Sequence, residues 1–307
     1  MSLRSLVILV HPYDEFWNSR YWFAAAAESL RSRGVTIEVC SDPTRCPAAD
    51  ASVVHVDQTR VPPEFIRAAM RSRRAINAKA PDISKRVVCS HVLHRGDAWH
   101  GPVIVKTDRN SAGMKEAVAA RMRSWPSRIA RSFHRRLPWY LRAELGGKDY
   151  RVFTSIHDVP AIVWRNPWLV VERFYPEPEG NLFLLRSCVF FDEATISLLR
   201  RGVEEVVRPP FPCAAEVSFD PPPPEVRRRA QDLGFEYAKF DFTLHQGRAV
   251  VFDCNRTPTG PSYTQQQFES FGEHLATGLL KWWNRLEEPA AVVLPAAEQP
   301  SLSAVEP

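Results

Sequence analysis

The chain has 307 residues, 45% of them apolar and 24% charged, with 40 basic and 35 acidic side chains giving a net charge of +5. That composition supplies an ample core and excludes a disordered chain, and no apolar run reaches membrane-spanning length. The charge is too mild to indicate a nucleic-acid binder, and suits a polyanionic small molecule or an acidic partner.

The length exceeds one typical domain, so two or three subdomains are expected. Six cysteines (Cys40, Cys46, Cys89, Cys188, Cys213 and Cys254) are scattered without a CxxC pair. They read as reduced thiols rather than disulfides or a zinc site. The first apolar run, residues 6–10, is too short for a signal peptide, which points to a cytoplasmic protein with no membrane association.

In chain order, residues 6–10 form a fully apolar strand of the buried parallel type. A helical pattern follows over 16–33, closed by Gly34. Strands are expected at 35–40 and 52–56, and Pro62-Pro63 opens a helix running to 74. Alternation at this spacing predicts a small doubly wound α/β unit over residues 1–76. No GxGxxG follows the first strand, so a dinucleotide site is not expected. The loop His11-Pro12-Tyr13-Asp14-Glu15 falls at the carboxyl edge of such a sheet, which is the usual ligand side; it also reads as an ordinary polar loop.

A second unit begins near Asn77, with a helix start over 81–86. A strand over 101–106 ends at Lys106 and runs into a small-residue loop, Ser111-Ala112-Gly113. Lysine plus closely approaching amides makes a candidate phosphate cradle, though not a Walker A loop; a solvated lysine is the alternative. Residues 115–151 are rich in arginine, a solvated basic face or a docking surface for an acidic partner. Strands are expected at 168–174 and 181–191, the second carrying Arg186 inside its apolar run, where a charge sits at a sheet edge or pairs with an anion. Prolines 221–224 stiffen a spacer before a short helix stopped by Gly234.

Residues 237–244 and 249–254 then read as a hairpin about a turn at 245–248. Asp253 and Asn255 share one face by period two, and Asp241 on the other arm can reach the same space. Two carboxylates and an amide oxygen there make a hard-oxygen site of the kind Mg²⁺ prefers, or else acids at strand ends. An amphipathic helix over 269–285 follows, and residues 287–307 read as a disordered tail.

Lys85, the VIVK run ending at Lys106, the small-residue loop, VVERF with Glu172, Glu179 seven residues on, and KFDF…FDCN together resemble the ATP-grasp superfamily. The resemblance covers roughly 77–285. It implies an α/β (α+β) fold with the N-terminal α/β subdomain over 1–76 and an ATP-grasp domain over 77–286. That domain would divide into a central lid part (77–168) and a C-terminal mixed-sheet part (169–286). It also implies ATP and Mg²⁺: Lys85 and Lys106 on the phosphates, Ser111, Ala112 and Gly113 folding over them, and Glu172, Arg173 and Phe174 on the hinge strand at the adenine. Glu179 would take the ribose, leaving Glu177 idle, and Asp241, Asp253 and Asn255 the metal. Lys239 and Arg186 would act on the transferring phosphate and the acyl intermediate. Asp253 departs from the family's usual glutamate, and the loop is poor in glycine.

The implied activity is ATP-dependent joining of a carboxylate to an amine through an acyl phosphate. The alternatives are a kinase on the same ATP site and a nucleotide-binding module without turnover. Substrates are then a small-molecule carboxylate and amine, or an acidic carrier or peptide at 115–151. Thr257, Thr259, Ser262 and Tyr263 are acceptor candidates. No nucleic acid is expected, and the oligomeric state, a homodimer included, is left open.

Overall fold

A computed structural model describes residues 2–113, 115, 116, 118, 137–146, 149–208, 211–260 and 263–287. Most of the arginine-rich segment, Ser262 and the tail after 287 lie outside the described residues. The first unit runs β1 (Ser5–Leu9), α1 (Trp22–Ser32), β2 (Thr36–Cys40), β3 (Ala51–Val54), α2 (Pro63–Ala69) and β4 (Arg74–Ile76). Its four strands are parallel in the order β2-β1-β3-β4. Leu6 and Ile8 pack with α1, while Val7 and Leu9 pack with Phe65 of α2, so β1 is covered on both faces. That explains its unbroken apolar run.

Next come α3 (Lys85–Val88), β5 (Val92–Leu93), β6 (Val103–Thr107), β7 (Arg151–Phe153) and β8 (Leu169–Arg173), forming an antiparallel sheet in the order β5-β8-β6-β7. The third sheet holds β9 (Pro178–Glu179), β10 (Leu182–Phe191), β11 (Ala194–Gly202), β12 (Glu216–Ser218), β13 (Tyr237–His245) and β14 (Arg248–Asn255), in the order β12-β11-β10-β13-β14 with β9 beside β10. Helix α4 (Pro224–Leu233) and helix α5 (Gln265–Glu287) complete the chain. Gly234 ends α4 at φ 76°, the left-handed cap that glycine adopts without a Cβ penalty. Gln246 (φ 51°) and Gly247 (φ 75°) make the β13–β14 turn, both positive as a two-residue hairpin requires. Among the described residues no helix is long and apolar enough to cross a membrane.

Three expectations change. Helix α1 starts at Trp22 rather than near 16, because Arg20 takes φ 48° and the chain before it is tied down as turns. Helix α2 ends at Ala69 instead of 74, since Arg74 already belongs to β4. Cys40 and Cys46 form a disulfide rather than staying reduced. The end of β2 and a tight turn at Asp42, whose carbonyl accepts from Arg45 N, bring their Cα atoms to 5.7 Å. The other cysteines (Cys89, Cys188, Cys213 and Cys254) are free.

One apolar core crosses the units. Trp22 and Phe23 of α1 pack with Val189, Phe191 and Tyr237 of the third sheet and with Leu275 and Trp283 of α5. Trp22 stacks on Phe271 at 5.0 Å, and α5 comes so close to α1 that a Cβ at Gly272 would lie 2.5 Å from Ala25. Burying side chains of this size contributes about 1.5–3 kcal/mol each. Arg256, fully buried just past β14, locks the hairpin to the first unit. Its guanidinium donates to the carbonyls of Gln58 (3.1 Å), Val56 (3.4 Å) and Ala80. Burial pushes it down to about 10, still protonated at neutral pH. Arg256→Met leaves the Gln58 and Ala80 carbonyls without that donor, so urea melts are expected to show a loss of roughly 3 kcal/mol. A loss near zero would mean the arginine is not the lock.

Candidate functional site

The β13–β14 register sets Asp241 directly opposite Asp253 and Lys239 opposite Asn255, so all four project from one face. It then shifts to Phe242 opposite Val251, leaving Phe252 as a bulge. Like charges directly opposite repel, so the two carboxylates persist only among cations. Lys85 Nζ lies 2.9 Å from Asp253 Oδ1, and Lys239 Nζ lies 3.0 Å from Asp241 Oδ2. Ser187 Oγ, across on β10, donates to Asp241 Oδ1 at 2.5 Å. Lys85 begins α3, where its backbone N–H donates to Asp108 O, and its side chain is 2% exposed. Burial would depress that ammonium, but its acidic neighbours together, Asp253 first and then Glu172 among them, hold it raised. Burial would likewise raise Asp253; Lys85 and Lys106 hold it below the usual carboxylate range.

The facing wall comes from period two on β6 and β8. Val103, Val105 and Val171 pack into the core behind the second sheet, which turns Ile104, Lys106 and Glu172 to its other side. Lys106 Nζ sits 2.5 Å from Glu172 Oε2 and 5.2 Å from the centre of the Phe252 ring. Burial opposes the charge on Lys106, but its neighbours together, Glu172 first and Asp253 among them, hold it raised. His91 Nε2 lies 3.7 Å from the same carboxylate.

Between the walls is a cleft of about 200 Å³. One end carries Lys85, Lys106, Asp241 and Asp253; the rest is largely apolar, with Ile104, Phe174, Leu184, Leu185, Val207 and Phe252. The structure thus brings together Lys85, Lys106, Arg173, Phe174, Asp241 and Asp253 along its lining. Glu172 and Lys239 stand directly behind it through their lysine and aspartate partners. Asn255 faces the same side, and its Oδ1 accepts from Thr257 N (2.9 Å) and Thr257 Oγ1 (3.2 Å).

Other expected members stand elsewhere. Glu177, expected to be idle, lines the cleft, accepting from Leu244 N at 2.8 Å and Thr243 Oγ1 at 3.2 Å. Glu179 is exposed outside it, paired with Arg201 at 2.5 Å. The reason is β9, which turns Pro178 and Glu179 into the edge of the third sheet. Arg186 is one residue out of phase with Ser187 and is held by Glu177 at 2.7 Å, so it does not line the cleft. The 3₁₀ turn Asn110–Gly113, carrying Ser111 and Ala112, docks on the first unit, with Asn110 N donating to Thr59 Oγ1 at 2.9 Å.

Two members were missed. Arg200 is paired in register with Leu185, which puts it on the Ser187–Asp241 face. Two hydroxyls hold its guanidinium, Ser187 Oγ at 3.5 Å and Tyr263 OH at 3.2 Å. Its signal was the Arg200-Arg201 pair ending a strand, of which period two must send one inward. His91 is the second, a lone histidine with no pattern around it.

The loop at the carboxyl ends of β1 and β3 is no solvated turn. Tyr21 OH donates toward Asp14 (3.1 Å) and Asp57 (3.3 Å), and Lys115 Nζ lies 2.8 Å from Asp57 and 3.8 Å from Asp14. Burial, reinforced by Asp57, pushes Asp14 up to about 6.

No family model matches the sequence, and no curated protein matches it. Among solved structures, the fold is similar to that of D-alanine–D-alanine ligase from Bacillus anthracis complexed with ATP, at 11% identity over 93% of this chain and 98% of that one, TM-score 0.40. It is similar to ATP-grasp ligase PsnB complexed with minimal precursor, Mg and ADP, at 14% identity over 91% and 97%, TM-score 0.48. The macrocyclase MdnB from Microcystis aeruginosa MRC matches at 12% identity over 91% and 99%, TM-score 0.41. Likeness at this distance assigns no residue a role.

A carboxyl raised in the folded state binds its proton more tightly there, so its contribution to stability declines as pH rises through the window from about 4 to about 6. Asp14→Asn removes that decline. Urea melts of variant and wild type should therefore diverge in the variant's favour between pH 4 and 6; parallel curves would show that Asp14 titrates normally.

Proposed function

We propose that the chain is an ATP-dependent carboxylate–amine ligase of the ATP-grasp kind. The observation that carries this reading is the cross-strand pair Asp241 and Asp253, with Lys85 and Lys106, at the charged end of a cleft whose remaining wall is largely apolar. A nucleoside triphosphate has that polarity: a flat apolar base, and a polyanion at the other end. Hard oxygen donors from Asp241, Asp253 and Asn255 on one face fit Mg²⁺, and their mutual repulsion is what a divalent cation relieves. Bound there, Mg²⁺ would neutralise phosphate charge and orient the transferring group.

The chain's own residues supply the rest. Lys85 and Lys106 are charged and buried, so a phosphate reaching them gains contacts that bulk water would otherwise weaken. Lys239 stands beside Asp241, where the γ-phosphoryl is assigned. Arg200, held by hydroxyls, is the cation assigned to the substrate carboxylate in place of Arg186. Glu177 takes the ribose in place of Glu179. A carboxylate oxygen attacks the γ-phosphorus, the bond from that phosphorus to the bridging oxygen breaks, and ADP leaves. The amine nitrogen then attacks the acyl carbon, loses a proton and expels phosphate. A dry, preorganised cleft holds the reactants in line and keeps water from the acyl phosphate.

Two comparisons test the assignments. Lys106→Ala should weaken ATP binding by about 1.5–3 kcal/mol, tenfold to a hundredfold by calorimetry, and Asp253→Asn should abolish phosphate release while the fold survives. Unchanged ATP affinity removes Lys106 from the site, and near-full turnover in Asp253→Asn removes the metal assignment. Glu177→Gln should raise KM for ATP by about tenfold, whereas Glu179→Gln should leave it unchanged; the reverse order would restore the sequence-based register.

A further inference from the structure

We propose that the Tyr150 hydroxyl donates a hydrogen bond to the polyphosphate of the bound nucleotide, beside Lys85. The proposal rests on the ATP reading above and adds a phosphate contact that no sequence pattern marks. Tyr150 lies just before β7, the edge strand that pairs with β6. That pairing sets Phe153, Val152 and Arg151 opposite Val103, Ile104 and Val105 in turn. One step further along, Tyr150 comes opposite Lys106, and residues opposite one another share a face. Ile104 and Lys106 face the cleft, and Tyr150 lines it with them. Its ring also packs against the apolar cluster of the second sheet, which fixes the ring and leaves the hydroxyl to meet a ligand.

The charges that act most strongly on that hydroxyl are Lys85 and then Asp253, followed by Lys106 and Glu172, so it belongs to the charged end of the cleft. Burial, the largest influence, pushes the phenol up, so it keeps its proton and is a donor at neutral pH. Lys85 and Asp253 satisfy each other at 2.9 Å. Among the described residues the Tyr150 hydroxyl makes no hydrogen bond, and the half-buried side chain does not seal it from solvent. A donor left over beside two lysines calls for an acceptor, and a phosphate oxygen is the acceptor those lysines attract. A phenol also adds a donor without adding a charge, so Lys85 and Lys106 gain no further cation to repel them. The turn Asn110–Gly113 contributes nothing to the lining, so its amides are not the donors at this end.

The test compares ATP with adenosine, which lacks the phosphates, by calorimetry on the full chain with Mg²⁺. Tyr150→Phe keeps the ring and removes only the hydroxyl. It should weaken ATP by about tenfold and leave adenosine unchanged. Equal ATP affinity in variant and wild type would overturn the phosphate contact while leaving the ATP site standing. Equal losses for both ligands would also overturn it, because the phosphates would then play no part in the loss. Failure of wild type to bind ATP would overturn both readings. A second measurement, on wild type, covers the case in which the variant does not fold: hydroxyl-radical oxidation of Tyr150, read by mass spectrometry. Tripolyphosphate with Mg²⁺ should protect Tyr150, and adenosine should not. Protection by adenosine, or none by tripolyphosphate, would overturn the contact.

Discussion

Two carboxylates facing each other across a pair of antiparallel strands cannot persist without positive charge nearby, and much of this structure can be traced to meeting that demand. Lys239 comes from the same strand as Asp241, but Lys85 must be delivered to Asp253 from the start of a short helix far away in sequence. Helix α3 is anchored for that purpose at its N-terminus: Ser84 N donates to Asp82 Oδ1, and Lys85 N donates to Asp108 O. The strand that places Asp108 also carries Lys106, so one stretch of chain fixes both lysines against the hairpin.

The lysines are held in readiness by ion pairs that a polyphosphate would have to share or replace. A buried pair is expensive to break by removing one partner, yet adds little net stability, because desolvation offsets most of the attraction. Such pairs are therefore poor explanations of fold stability and good explanations of a site that can exchange partners. Stability comes instead from the apolar core shared by α1, α5 and the third sheet, with Arg256 tying the hairpin to the first unit. The first unit does not stand apart from the third sheet; it is part of the same packing.

The hairpin and its acids were legible because period-two patterning and a glycine turn act locally, and Asp241, Asp253, Lys106 and Glu172 all lie in strands. What stayed hidden depends on distant geometry. Whether Glu177 or Glu179 enters the cleft is decided by a two-residue strand pairing with β10, which no local pattern announces. Arg186 was conspicuous as a charge in an apolar run, but its neighbour in phase, Ser187, faces the aspartate; the inward guanidinium comes from β11 as Arg200. The Cys40–Cys46 disulfide likewise needed the turn at Asp42 to become visible.

The central claim is that the cleft activates a carboxylate by phosphorylating it. The most direct measurement follows an oxygen atom. The protein is given ATP, Mg²⁺, amines and a pool of ¹⁸O-carboxylate acids in unlabelled water, and the released phosphate is examined by mass spectrometry. An acyl phosphate intermediate predicts one ¹⁸O per phosphate, released with ADP only when the amine is present. Phosphate carrying no label, or phosphate released over many turnovers with no amine present, would contradict it.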